Sequence, residues 1–240
     1  MAIPSRVRGR AAGSERSRRT RQRIIEAAAR LFVRDGYLQT TMSAIAAEAG
    51  VAYQTLYLSF GSKVAILRAA FDVAVAGDDE PIPMLERDWI QRIDQEPDGP
   101  RAVRIFVGAV ALIFAREYPL YAAITAAAAD PEISDELARL KAQRYQTYSA
   151  IIARLAAKPG FTRSLNHERV AQVLYTVVSD ETYGLLVAEH GWSLADWTQW
   201  ATRAASTELY PTRMSVRLRC IPQWPAETWP RMAHRRRNQG

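Results

Sequence analysis

Beyond residue 83 apolar positions recur every three or four residues, with no sustained alternation of apolar and polar, and the same spacing runs through 24–75. That period predicts an all-α chain. Ile24, Ala28, Leu31 and Phe32 form the stripe of a first helix over 20–34, which Asp35 and Gly36 end. Met42, Ile45, Ala46 and Ala49 give a short second helix one apolar face, with Thr41 as its N-cap and Gly50 to close it. A third runs over 53–60 with Leu56 and Phe60 turned inward, so Tyr53, Gln54, Thr55 and Tyr57 point out. Ser62 caps a fourth from Lys63, whose core face is Val64, Leu67, Phe71, Ala74 and Val75, until the 77–81 segment breaks it.

Farther along, the pattern predicts helices over 84–95, 101–117 and 120–129, with Pro119 starting the last of these. The 101–117 segment is apolar nearly all round, as a central helix is. Asp130 followed by Pro131 reads as an N-cap with proline at the first helical position, opening a long helix to about residue 157. Two final helices are expected over 167–190 and 194–210, the second with Ser193 as N-cap and Asp196 three residues on, close to a capping box.

The run from Thr40 to Lys63 carries a more specific signal than a bare helix-turn-helix. Thr41, the Ile45-Ala46-x-x-Ala49-Gly50-Val51 run, Thr55-Leu56-Tyr57 and Phe60-Gly61-Ser62-Lys63 resemble the DNA-binding signature of the tetracycline-repressor (TetR) family. The chain departs from it at Ala52, where members often carry a capping serine, and at Ser59, which replaces a larger aromatic or histidine. The resemblance implies an N-terminal three-helix DNA-binding domain over 20–63 and a helical effector-binding and dimerisation domain over 64–210. It also implies a pseudo-palindromic operator in double-stranded DNA, a homodimer, and release by a small-molecule effector.

The DNA-facing set that follows is Arg21, Thr41, Ser43, Ala52, Tyr53, Gln54, Thr55, Tyr57 and Lys63. The Gln54 amide suits an adenine edge in the major groove, whereas Tyr57 and Lys63 suit backbone phosphates, which fix register without reading sequence. Tyr53 could pack on a thymine methyl or donate to phosphate, and Thr55 could do either.

Charge divides unevenly. Of the net +7, residues 1–19 hold +5 (six Arg, one Glu) and residues 211–240 hold +6 (seven Arg, one Glu), which leaves −4 for residues 20–210. Both ends read as unstructured basic segments that attract phosphate without sequence preference. They motivate a competing reading, a helical dimeric adaptor or architectural protein that binds nucleic acid nonspecifically.

The longest apolar run, 105–115, is closed by Arg104 and Arg116 and is too short to span a bilayer, and no apolar stretch follows the basic N-terminus. With a single cysteine, Cys220, a cytoplasmic protein is expected. No catalytic constellation emerges: His167, His190 and His234 lack ligand spacing, and there is no nucleophile elbow, Walker loop or dinucleotide fingerprint. No enzyme, metal or cofactor is therefore expected.

Aromatics at helical spacing are more often core, but together with the resemblance Trp89, Phe106, Phe114, Tyr118, Tyr121, Tyr148 and Tyr175 imply a largely apolar effector pocket, with Arg144 as its polar member. Arg144 could meet an anionic ligand or pair with Glu181 or an exposed carboxylate, and a pairing is favoured. The resemblance makes the last two helices a dimer bundle, with Val177, Leu185, Trp197, Ala201 and Ala204 at its interface.

Overall fold

The computed structural model describes residues 5–78, 80, 82–163 and 166–211, and among them every regular element is helical. Helix α1 spans Ser5–Asp35, α2 Met42–Glu48, α3 Tyr53–Phe60 and α4 Lys63–Ala76. A 3-10 turn, Met84–Glu86, leads into α5 (Asp88–Gln95), α6 (Gly99–Ala126) and α7 (Pro131–Ala156). Then come α8 (His167–Val177), the single turn α9 (Asp180–Tyr183), a π-helical segment Gly184–Glu189, and α10 (Leu194–Leu209).

Local capping sets most of these ends. Thr41 accepts from the Ala44 amide at 3.1 Å, Ser62 from Ala65 at 3.2 Å and Asp130 from Glu132 at 2.9 Å. Ser193 and Asp196 form a reciprocal capping box. Helix α3 has no such help, because Ala52 offers no side-chain acceptor. Its stability rests on burying Leu56 completely and Phe60 in part.

Two apolar cores result. The head core gathers Ile24, Ala28, Phe32, Ile45, Leu56 and Leu67 from α1–α4, and it continues without a gap into Leu120, Ile124 and Ile133 where α6 ends and α7 begins. The body core packs α5, α6, α7, α8 and α10 around Phe106, Phe114, Ile151, Leu174 and Trp197. Trp197 stands edge-on to Phe114 at 5.6 Å and to Tyr183 at 5.6 Å.

Four expectations change. Residues 5–19 continue α1 instead of forming an unstructured arm, with Arg18 and Arg19 reaching back one turn to Glu15 at 3.1 and 3.0 Å. Pro119 does not start a new helix but lies inside α6. A proline there forfeits one backbone bond and costs about 3 kcal/mol. Burial of Glu117, Leu120, Tyr121 and Ile124 on either side keeps the helix running.

The expected helix over 167–190 is broken after Val177, because Ser179 caps a new turn by accepting from the Thr182 amide at 3.1 Å. Gly184 then passes so close to Tyr118 that a Cβ would sit 2.2 Å from its hydroxyl. Finally, Trp197 and Ala201 are fully buried in their own chain's body core and are not available to a partner. A stripe that packs on a neighbouring helix reads the same in sequence whichever chain supplies that helix.

By length and composition α6 is apolar enough to cross a membrane. Its buried apolar positions pack against α4, α5, α7 and α10, while Leu112 is exposed. The tail from residue 212 on, expected to be unstructured, lies outside the described residues.

Candidate DNA-binding head and body cavity

The α2–α3 turn is held from α1. Gly50 takes φ +62°, a left-handed conformation that suits glycine, and Arg23 of α1 donates one Nη to the carbonyls of Ala49 and Gly50. Arg30 pairs with Glu48 at 3.2 Å on the same side. Arg23 thus satisfies carbonyls at the end of α2 and fixes the angle at which α3 leaves the head.

On α3, Tyr53, Gln54, Thr55 and Tyr57 are exposed, as their spacing predicts. The rings of Tyr53 and Tyr57 stack at 6.4 Å with an interplanar angle of 14°, which makes one flat aromatic face of the two. Leu58, which the residue pattern did not single out, is 84% exposed, one helical turn after Gln54. An apolar side chain so exposed on a polar helix face is the signal that would have found it. Ser59 folds back to donate to the Thr55 carbonyl at 2.7 Å. Ser43 and Ala52 are exposed beside this face, and Thr41 keeps its hydroxyl hydrogen after accepting at the cap.

Two of the expected phosphate contacts are engaged elsewhere. The Lys63 ammonium lies 4.0 Å above the Tyr37 ring and donates to the Tyr37 and Thr40 carbonyls at 2.8 and 2.9 Å. Burial holds its pKa below the ordinary lysine value. Lys63 therefore braces the α1–α2 loop with two of its three donors, because a carbonyl pair closed by the fold lies nearer than any surface anion. Arg21 lies over the Phe60 ring at 4.6 Å and reaches the rim of the cavity described next.

Below the head, α4, α6 and α7 enclose a cavity of about 440 Å³ whose mouth is edged by α5 with Asp78, Glu80, Ile82 and Met84. Arg87 and Asp78 close a bidentate pair across that mouth at 2.6 and 3.0 Å. Of the residues expected to line it, Trp89, Phe114, Tyr121, Arg144 and Tyr148 do so. Phe106, Tyr118 and Tyr175 do not. Phe106 is fully buried behind Tyr148, Tyr118 packs on Tyr183 at 5.3 Å, and Tyr175 lies edge-on to Tyr145 at 5.6 Å.

Arg144 pairs with Glu181 at 3.1 Å, as the sequence favours, and also with Asp180, which the broken 167–190 segment carries inward. It donates to the Tyr175 hydroxyl at 2.9 Å. Burial alone would raise the Glu181 pKa, yet Arg144, with hydrogen bonds from Tyr121 and Lys141, draws it down to about 2.

Glu117, which the sequence did not mark, faces the same cavity. It is 3% exposed, and its Oε2 has no hydrogen-bond partner. Burial pushes its pKa up to about 8 against the partial pull of Arg144 and Arg116, and Glu181 adds to the rise. Asp180 Oδ1, Tyr148 Oη and Arg144 Nε are likewise buried and unpartnered.

Between cavity and head stands a second carboxylate. Glu136 of α7, also 3% exposed, accepts from Arg68 of α4 at 2.6 Å and from Arg139 at 2.6 Å. Burial opposes its ionisation, but the hydrogen bonds from Arg139 and Arg68 outweigh it and hold the pKa below the ordinary value. The Tyr37 hydroxyl donates to Glu132 at 3.4 Å one turn earlier on α7.

Residues 24–70 match the family described as bacterial regulatory proteins, tetR family. The fold of the chain is shared by the transcriptional regulator FadR from Bacillus subtilis in complex with stearoyl-CoA, at 19% identity and a TM-score of 0.61, over 78% of this chain and 98% of that one. NalD, the secondary repressor of the MexAB-OprM multidrug efflux pump in Pseudomonas aeruginosa, aligns at 17% identity and a TM-score of 0.59, over 82% and 98%. The TetR-family regulator PfmR from Thermus thermophilus aligns at 21% identity and a TM-score of 0.52, over 78% and 96%. No curated protein sequence matches the chain. At these identities the structural likeness establishes the fold. Residues 24–70 are thus similar to the helix-turn-helix head of tetR-family regulatory proteins, and the body behind them has the all-α fold of the TetR-family structures it resembles.

Proposed function

We propose that the chain is a cytoplasmic transcriptional repressor that grips a pseudo-palindromic operator as a homodimer and is released by a small, largely apolar or aromatic ligand. One observation carries this reading: the helices that wall the cavity are those that hold the head. Helix α4 contributes Ile66, Leu67 and Phe71 to the head core and Val73 and Val75 to the cavity. Helix α7 clamps Arg68 through Glu136 and reaches the cavity with Arg144 and Tyr148. A ligand that displaces α4 or α7 shifts the recognition helices, and two half-sites about one helical turn apart can no longer be gripped together. The stearoyl-CoA complex of the similarly folded FadR supports a small-molecule ligand for this cavity.

On the head, Tyr53, Gln54, Thr55, Tyr57 and Leu58 are the groups offered to base edges and backbone, with Ser43 and the Thr41 hydroxyl at the flanking phosphate. Selection of bound genomic fragments by the purified chain, followed by footprinting, should yield a two-fold symmetric site. Recovery of fragments with no common sequence would instead favour nonspecific binding. On the selected operator Gln54→Ala should cost about 1–3 kcal/mol and relax preference at one position per half-site. Equal weakening on operator and scrambled duplex would remove Gln54 from base reading.

A further inference from the structure

The inner wall of the body cavity holds a buried carboxyl group that no cation of the protein answers. Its two largely buried cations are both engaged: the Nη groups of Arg144 are committed to Asp180, Glu181 and Tyr175, and those of Arg87 to Asp78. Two carboxylates therefore already answer the Arg144 guanidinium. Glu117, one turn before Tyr121 on α6, has no cation within hydrogen-bond distance, and its Oε2 is buried and unpartnered. Asp180 Oδ1 and the Tyr148 hydroxyl add two more buried oxygens able to accept. The unmet donors, Arg144 Nε and Arg87 Nε, belong to guanidinium groups already paired with carboxylates, and the Tyr148 hydroxyl can also donate. The aromatic members Trp89, Phe114 and Tyr148 present ring faces and edges to the same space, and ring faces favour cations over anions.

We infer that the cavity takes an organic cation, a protonated amine on an apolar or aromatic frame, with its N–H groups directed to the Glu117 carboxylate and the Asp180 and Tyr148 oxygens beside it. This rests on the proposed ligand-released regulator and names the chemical class of its ligand. A carboxylate or phosphate ligand fits less well, because Glu117 and Asp180 oppose it and Arg144 has little left to offer. A neutral apolar ligand fills the volume but leaves the buried oxygens unmet, at a cost for each that a donor removes. The remaining charged groups of the cavity, Arg21, Asp72, Asp78, Glu80, Arg87, Arg139 and Lys141, contain both signs and select neither.

The test uses three probes that share a frame and differ in head group: 4-phenylbutylamine, 4-phenylbutan-1-ol and 4-phenylbutyrate, titrated calorimetrically into the full chain at pH 8.5, where Glu117 is mostly ionised and the amine is still protonated. The amine should bind about tenfold or more tightly than the alcohol, the worth of one charge-assisted hydrogen bond, and the carboxylate weakest. Glu117→Gln, a near-isosteric change whose melting curve shows that it is folded, should bring the amine to the affinity of the alcohol. The alcohol's own affinity should change no more than about twofold. Tightest binding of the carboxylate, equal binding of amine and alcohol, an amine preference untouched in Glu117→Gln, or no binding of any probe would each overturn the inference.

Operator titration of the ligand-free chain runs alongside. Specific operator binding without amine preference removes the cation site and leaves the regulator standing. Amine preference without specific operator binding leaves the cation site and removes the regulator.

Discussion

At pH 9, Glu117→Gln should be more stable than the parent chain by about 3–5 kcal/mol, and at pH 5 the two should differ by no more than about 1 kcal/mol. Burial sets the sign. The folded chain raises this carboxyl from its ordinary 4.5 to about 8, so it holds the proton more tightly than the unfolded chain does. The contribution is complete below about pH 4.5 and falls by about 1.36 kcal/mol per unit as pH climbs toward 8. Above that it is gone.

Arg144 and Arg116 moderate the rise without cancelling it, since the guanidinium of Arg144 already serves Asp180 and Glu181. Glutamine cannot ionise and carries no such loss. Thermal melts of both chains from pH 5 to pH 9, ligand-free, should diverge by roughly 10 °C at the alkaline end for a chain of this size. Parallel profiles across the range would mean that Glu117 ionises freely in the fold and that water reaches its Oε2.

Ala201→Arg should abolish folding of the body. Ala201 is fully buried on the α10 stripe with Trp197, Ala205 and Leu209, and its neighbours leave no room for a guanidinium and no anion to meet one. A buried, unpaired charge costs several kcal/mol, a large part of the roughly 5–15 kcal/mol that keeps a domain folded. Leu185→Arg is the informative contrast. Leu185 is 47% exposed on the π-helical segment, so the change should shift stability by about 0.5 kcal/mol or less. If that face joins two protomers, it should instead separate them. Circular dichroism on both variants, with sedimentation velocity on the folded one, checks this. An Ala201→Arg chain with a normal melt and a monomeric mass would return Ala201 to the interface. Val177 and Ala204, half-buried on the flanks of α8 and α10, remain compatible with a partner surface.

The chain's amino-acid order by itself determined the all-α class, the helix-turn-helix and most helix ends, because each of these is written in neighbouring residues. Thr41, Ser62, Asp130 and Ser193 cap the helices they precede through amides three or fewer residues away, and Tyr53–Phe60 runs between limits set by Ala52 and Gly61. The outward face of α3 follows from turning Leu56 and Phe60 inward. Tertiary structure decided whatever depends on a partner distant in the chain. Pro119 stays within a helix because both flanks are buried against other helices, and Ser179 breaks one because its cap delivers Asp180 to Arg144, thirty-six positions earlier. Lys63 turns inward because the fold brings two carbonyls from the α1–α2 loop within reach of its ammonium. Trp197 and Ala201 face their own body because α6 occupies the position a second chain would otherwise take. Glu117 acquires its character only when α4 and α7 close over it, for a glutamate in an apolar helix has no marked chemistry until the water around it is gone.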